Sequence, residues 1–275
     1  MSETTQTLTA KDKLQLFSRA WLTDNPKASI AFVHGFGEHS GRYAHVADFF
    51  NKNGYSFFAF DNRGHGQSEG KRGHAPDYDT YLYDIDVFLD YVIAQSAGKP
   101  IFLYGHSMGG NLVLNYVLRR KPSIKGLIVS GPWIQLAFQP KPVLVTVGKL
   151  MRSMVPGFTQ DSGLVQSHIS KDPAVVEAYK NDPLVHGKIT ASASIGLLEE
   201  AAFLNSYAGT MPIPTLIMHG AEDLLTSQLA SEAFAKRISG PVTYKKWEGM
   251  YHEIHNEPQK TEVLNYMLGW LEREC

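Results

Sequence analysis

Ten residues, Ile101 to Gly110, place a serine between an apolar run and a second apolar segment. Their centre is Gly105-His106-Ser107-Met108-Gly109, a G-x-S-x-G pattern. Such a serine sits on a tight strand-to-helix turn with its hydroxyl presented outward. Glycines flank it because the chain must turn sharply and pack closely. The reading is of a nucleophile. A serine hydroxyl needs a base to take its proton, and the base needs an acid group to hold its tautomer and its charge. In this kind of architecture the chain order is serine, acid, histidine. His252, in the loop GMYHEIHNE before the last helical segment, is the expected base, with His255 the alternative three residues on. Asp223 in HGAEDLL is the expected acid, with Glu222 the alternative. His219 ends its strand before Gly220 and reads as a loop-packing group.

The tetrahedral intermediate needs hydrogen-bond donors already aimed at its oxygen. One is expected from the backbone N–H of Met108, at the start of the helix after the serine. The other is expected from the loop His34-Gly35-Phe36-Gly37, through the N–H of Phe36, whose side chain also lines an acyl channel. Losing one such donor typically costs about 2.7–4 kcal/mol. Other chemistries fail on spacing. GHGQSEG lacks the Gly-Lys-Ser/Thr ending of a phosphate loop. His252-Glu253-Ile254-His255 puts its histidines three apart rather than four, so no zinc site is expected.

These residues need a scaffold. Segments 5–10 and 13–22 read as an opening antiparallel hairpin. Apolar runs at 29–33, 55–60, 101–104, 124–129, 213–218 and 242–247 read as strands. Helices are expected from near Arg42 to Gly54, over 79–95, over 111–120, over 226–238 and over 259–273. Strands alternating with helices imply a mostly parallel central sheet covered on both faces. About 80 residues separate the strand at 124–129 from that at 213–218, far longer than a plain crossover. Within them Val143, Leu144, Val147, Leu150, Met151, Met154 and Val155 recur three or four apart, as on one helix face. The expected division is a core of 1–132 and 209–275 with a helical cap inserted over 133–208. The expectation is that this stripe shields the acyl channel and touches a membrane or micelle surface transiently, with Lys149 and Arg152 at its rim.

Of the 275 residues, 26 are basic and 27 acidic, a net charge of −1 without a basic block. Nucleic acid is therefore not the expected partner. The one cysteine, Cys275, excludes an intramolecular disulfide. The opening MSETTQTLTAKDKLQLFSRAW has no apolar core flanked by positive residues, and no 18-residue apolar run occurs. A cytoplasmic location, peripheral at lipid surfaces, is the expectation.

Longer motifs sharpen the reading. HGFGEHSGRY at 34–43, DNRGHGQSEG at 61–70, GHSMGG at 105–110, HGAEDLLT at 219–226 and YHEIHNE at 251–257 resemble the monoacylglycerol lipase and lysophospholipase family of α/β-hydrolases across nearly the whole chain. The resemblance implies the α/β-hydrolase fold, a Ser107-Asp223-His252 triad, oxyanion positions at Phe36 and Met108, and no metal or organic cofactor. It implies a lipid ester substrate, cleaved to fatty acid and glycerol, with lysophospholipase or general carboxylesterase action as the alternative. It also implies glycerol contacts from Glu38, Arg42, Tyr179 and His255. Phe36 is larger than the small residue often found at its position, which narrows the site. A non-catalytic binding module is the rival from another class, and it would not react with an active-site phosphonate. The sequence carries no signal for oligomeric state.

Overall fold

The computed structural model describes residues 3–275. The chain runs β1 (Glu3–Thr9), β2 (Gln15–Trp21), β3 (Ala28–Val33), α1 (Ala44–Lys52), β4 (Tyr55–Phe60), α2 (Tyr78–Gln95), β5 (Ile101–His106), α3 (Met108–Arg120) and β6 (Gly126–Ser130). It then leaves the sheet for α4 (Pro142–Met154), β7 (Thr159–Asp161), α5 (Pro173–Asn181), β8 (Lys188–Thr190) and α6 (Ala191–Ser206). It returns as β9 (Thr215–Gly220), α7 (Gln228–Arg237), β10 (Val242–Trp247) and α8 (Lys260–Glu274). Eight strands form one sheet in the order β1-β2-β4-β3-β5-β6-β9-β10. The first two pairings are antiparallel and the rest parallel. β7 and β8 pair separately as a small antiparallel ribbon. This is the α/β-hydrolase fold with an inserted cap.

The central strands are apolar on both sides because both faces are covered. Alternate residues of a strand point to opposite faces. Leu103, Val129 and Ile217 pack on one side with Leu82, Ile85 and Phe88 of α2 and Leu112 and Val113 of α3. Phe102, Tyr104, Ile128 and Leu216 pack on the other with Phe50 of α1 and Met267 and Trp270 of α8. Parallel strands put their carboxyl ends on one edge, and in open α/β sheets ligand sites form there. The loops after β3, β4, β5, β6, β9 and β10 all start from that edge. They hold Phe36, Asp61, Ser107, Gly131, Asp223 and His252.

Most element boundaries shift by a residue or two from the sequence reading, and three of the shifts bear on the site. α3 begins at Met108 rather than 111, because Gly109 and Gly110 are helical despite their low propensity. A Cβ on Gly109 would lie 2.1 Å from the Val33 carbonyl oxygen, so close packing of α3 on β3 requires glycine there. β9 begins at Thr215, two residues late. Pro212 and Pro214 offer no N–H to the ladder, and the Thr215 N–H bonds Pro241. At its other end the strand runs to Gly220, so His219 lies inside it. Near Arg42 a short 3-10 turn, Ser40–Tyr43, precedes α1.

The inserted segment has two unlike parts. α6 packs into the core through Ala193, Leu197 and Leu204. α4 follows the expected apolar period but buries none of its residues. Val143, Leu144, Val147, Leu150 and Met154 remain 49–69 % exposed. Among the described residues, no helix is long and apolar enough to cross a membrane.

Candidate active site

Ser107 joins β5 to α3 with φ +55° and ψ −116°. A non-glycine residue held there costs on the order of 1–3 kcal/mol, which the surroundings must offset. They do so through backbone bonds on both sides. The Ser107 N–H donates to Ser130 O at 3.0 Å, and its carbonyl accepts from the N–H groups of Asn111 and Trp133, each at 3.0 Å. A Cβ on Gly105 would lie 2.5 Å from both Gly109 O and Val113 Cγ2, so this turn excludes larger residues.

His252 lies across from it, buried, and both residues line one cavity of about 20 Å³. Its Nδ1–H donates to Asp223 Oδ2 at 2.6 Å. That bond fixes the tautomer and leaves Nε2 as the basic nitrogen. Asp223 Oδ2 also accepts from His219 Nε2–H at 2.9 Å and lies 2.9 Å from the Thr226 hydroxyl. Its Oδ1 accepts from the N–H groups of Leu225 and Thr226 at 2.7 and 3.0 Å. Burial would push this carboxyl up, but the charge of His252 and the bonds from His219 and His252 hold it well below the ordinary range. Burial likewise works against charge on His252. The Asp223 charge and hydrogen bond, aided by Glu253 and Glu38, outweigh it and raise the imidazole above its ordinary 6.5. The ring is thus a base whose charged form the site welcomes.

The alternatives separate cleanly. Glu222 is exposed and pairs with Lys171 at 2.7 Å. His255 is fully buried and neither ring nitrogen has a partner. It packs 4.7 Å from both Tyr43 and His106, and His106 packs 4.7 Å from His252. Burial drives both His106 and His255 well below the ordinary imidazole range. Neutral rings therefore stand behind the base.

Residues 24–259 match the family model Hydrolase_4, serine aminopeptidase S33. The chain belongs to this family of α/β-hydrolases. A monoacylglycerol lipase of Mycolicibacterium smegmatis is 35 % identical over 254 residues, covering 91 % of this chain and 90 % of that protein. An abhydrolase domain-containing protein of Dictyostelium discoideum is 39 % identical over 98 % of this chain, which spans 29 % of that relative's length. The crystal structure of the Paleococcus ferrophilus monoacylglycerol lipase superposes with a TM-score of 0.87 at 29 % identity, covering 94 % of this chain and 99 % of that one. The hydrolase is a serine hydrolase of the lipase and esterase kind.

Two of the four residues expected at the glycerol end line the Ser107 cavity in this hydrolase: Glu38 and Tyr179, beside Phe36, Leu164, Ile169 and Leu225. Arg42 and His255 do not. Arg42 turns instead to two buried carboxylates, donating to Glu38 Oε2 at 2.5 Å and to both oxygens of Glu253 at 2.7 and 2.8 Å. The Tyr179 ring lies 4.6 Å from the guanidinium. Glu38 Oε1 in turn accepts from the Gly35 N–H at 2.7 Å and the Tyr43 hydroxyl at 2.8 Å. One guanidinium thereby joins the Phe36 loop to the residue after His252. Burial raises Glu38, whereas for Glu253 the Arg42 charge outweighs burial and lowers it.

Of the acyl-channel candidates on α4, only Leu144 lines an apolar cavity of about 410 Å³, together with Trp133, Phe138, Val145, Gly148, Ile195 and others. Val147, Leu150, Met151 and Met154 do not. Val147, Leu150 and Met154 stay about half or more exposed, and Met151 is half-buried. Sequence reasoning missed His219, Thr226 and Trp133. His219, read as a loop-packing group, is a strand residue whose ring bonds Asp223. Trp133 marks a junction: its N–H holds the Ser107 carbonyl while its side chain lines the apolar cavity.

Proposed function

We propose that this hydrolase cleaves the single ester of monoacylglycerols through an acyl-enzyme on Ser107. The carrying observation is one cavity lined by Ser107 and the Asp223-bound His252, with a second, apolar cavity of a size usual for small-molecule sites lined by Trp133, whose N–H bonds the Ser107 carbonyl. Ser107 Oγ attacks the carbonyl carbon as His252 Nε2 takes its proton. The N–H groups of Met108 and Phe36 receive the developing oxyanion. Met108 is the first residue of α3, so its N–H lacks an intrahelical acceptor. The imidazolium then protonates the departing glycerol oxygen, and water activated by His252 releases the fatty acid. The acyl chain occupies the apolar cavity that Trp133 lines. Glu38 and Tyr179 face the glycerol. A space of about 20 Å³ holds little more than one water, so an ester enters only after the cap shifts. The uncovered face of α4 serves that step by resting on lipid.

The test is a panel at equal acyl length: monooleoylglycerol, oleoyl lysophosphatidylcholine and triolein. Monooleoylglycerol is expected to give the highest kcat/KM. A higher value for the lysophospholipid would replace this reading with a lysophospholipase.

A further inference from the structure

His186 belongs to the inserted segment and lies outside the triad, yet it meets the loop that carries Phe36. Its backbone N–H donates to the Gly37 carbonyl at 2.9 Å. Its own carbonyl oxygen lies 2.5 Å from where a Cβ on Gly37 would stand. Gly37 has φ +76°, so glycine is required there both for the conformation and for this backbone approach. The imidazole Nε2–H donates to the Gly64 carbonyl at 3.0 Å. His186 thereby touches two core loops at once, those after β3 and β4.

Its ring acts on Phe36 directly. It stands edge-on to the phenyl ring at 5.8 Å and 87°. His65, from the loop after β4, stands edge-on to the same ring at 5.6 Å and 83°. The two imidazoles themselves lie 4.7 Å apart. His65 donates Nδ1–H to the Arg63 carbonyl at 3.0 Å. Burial lowers both imidazoles below the ordinary range, so this contact is between neutral rings. Phe36 is consequently met on one side by a pair of adjoining imidazoles, one from the core and one from the insertion.

An oxyanion donor works only within about 2.7–3.1 Å of the developing charge. A displacement of about 1 Å can cost about 10²-fold in rate. We infer that His186 is a positioning residue for the oxyanion site: the inserted segment, together with the core, fixes the peptide that presents the Phe36 N–H. The inference rests on Phe36 being that donor, as proposed above.

The experiment uses the full chain with p-nitrophenyl acetate, whose short acyl group and absent glycerol remove any role in substrate choice. Two variants are compared with the unmodified protein well below their melting temperatures. His186→Gln keeps an N–H for Gly64 and removes the ring. His186→Phe keeps the ring and removes the N–H. The glutamine variant is expected to lower kcat by about tenfold with KM little changed, the pattern of an interaction made in the transition state. Its affinity for a trifluoromethyl ketone, which forms a tetrahedral adduct on the serine, should fall by the same factor. The phenylalanine variant should recover most of the kcat. Wild-type kcat in the folded glutamine variant would overturn the inference, as would a change in KM alone. A loss of kcat in both variants that follows melting temperature, with adduct affinity unchanged, would also overturn it and leave His186 a packing residue. An unmodified protein inert toward every ester would instead overturn the esterase reading, and the inference with it.

Discussion

The inserted segment contains two stretches of opposite attachment. α4 is amphipathic, yet it buries no residue and leaves most of its apolar stripe exposed, and its charged link to the body is Arg152 to Glu199 of α6. The stretch from Ile169 to His186, around α5, is knitted to both catalytic loops. The Glu253 N–H donates to Ile169 O at 2.7 Å, and the Lys171 N–H donates to the buried Glu257 carboxylate at 3.2 Å. His39 Nε2 lies 2.8 Å from Asp182 Oδ2, and the His186 N–H bonds Gly37. Tyr179 lies over Arg42, whose guanidinium joins those two loops. The difference teaches that a cap need not be uniform. One part can hold the catalytic geometry while another stays free to meet substrate.

The largest effects should come from the core site, and they should ignore substrate type. Asp223→Asn is expected to lower kcat by about 10⁴-fold on short and long esters alike, because the amide favours the wrong tautomer of His252. Steady-state kinetics on p-nitrophenyl acetate and monooleoylglycerol checks this. Arg42→Met comes next. It leaves two buried carboxylates, Glu38 and Glu253, without their cation, and breaking such a cluster typically costs about 3–5 kcal/mol. Urea unfolding at pH 7 should show that loss as a lower midpoint with an unchanged slope. An unaltered midpoint would mean that the clasp does not depend on Arg42.

His255→Ala sharpens the comparison further. Since the ring packs behind His106 and away from the cavity, turnover of p-nitrophenyl acetate and of monooleoylglycerol should fall by the same factor. A loss confined to the glycerol ester would restore the glycerol contact that the family resemblance implies. Titration gives another check. Only neutral His252 accepts the serine proton, and Asp223 raises its pKa. The acid limb of kcat/KM should therefore lie above pH 6.5, with activity rising as pH increases through it. A limb below 6.5 would mean that burial, rather than the Asp223 charge, governs this ring.

The smallest and most selective effect belongs to α4. Met154→Glu or Leu150→Asp should leave short-ester turnover and stability nearly unchanged, because both residues are more than half exposed. Vesicle co-sedimentation and long-chain monoester turnover should fall by a few-fold. Loss of short-ester turnover to the same degree would place α4 with α5 as part of the catalytic support.

Much of this was legible in the chain. Apolar runs such as SIAFV, YSFFAF and IFLY mark strands buried on both faces, and the glycines around Ser107 mark its turn. What stayed hidden depends on distant partners. Arg42 has no local sign that its carboxylate is Glu253, 211 residues away. A helical period marked the apolar face of α4 but could not say that most of it stays exposed. His219, at the end of its strand before Gly220, read as a loop-packing group because no sequence neighbour marks its partner. The fold brings Asp223 back against the strand, and this imidazole becomes the second histidine that donates to it.

The most direct measurement traps the acyl-enzyme. The protein is mixed with p-nitrophenyl octanoate, quenched in acid within the first turnovers, digested and weighed by mass spectrometry. The account predicts an octanoyl group on the peptide containing Ser107, absent in Ser107→Ala. Octanoate release without any adduct on that peptide, or an adduct on another residue, would contradict it.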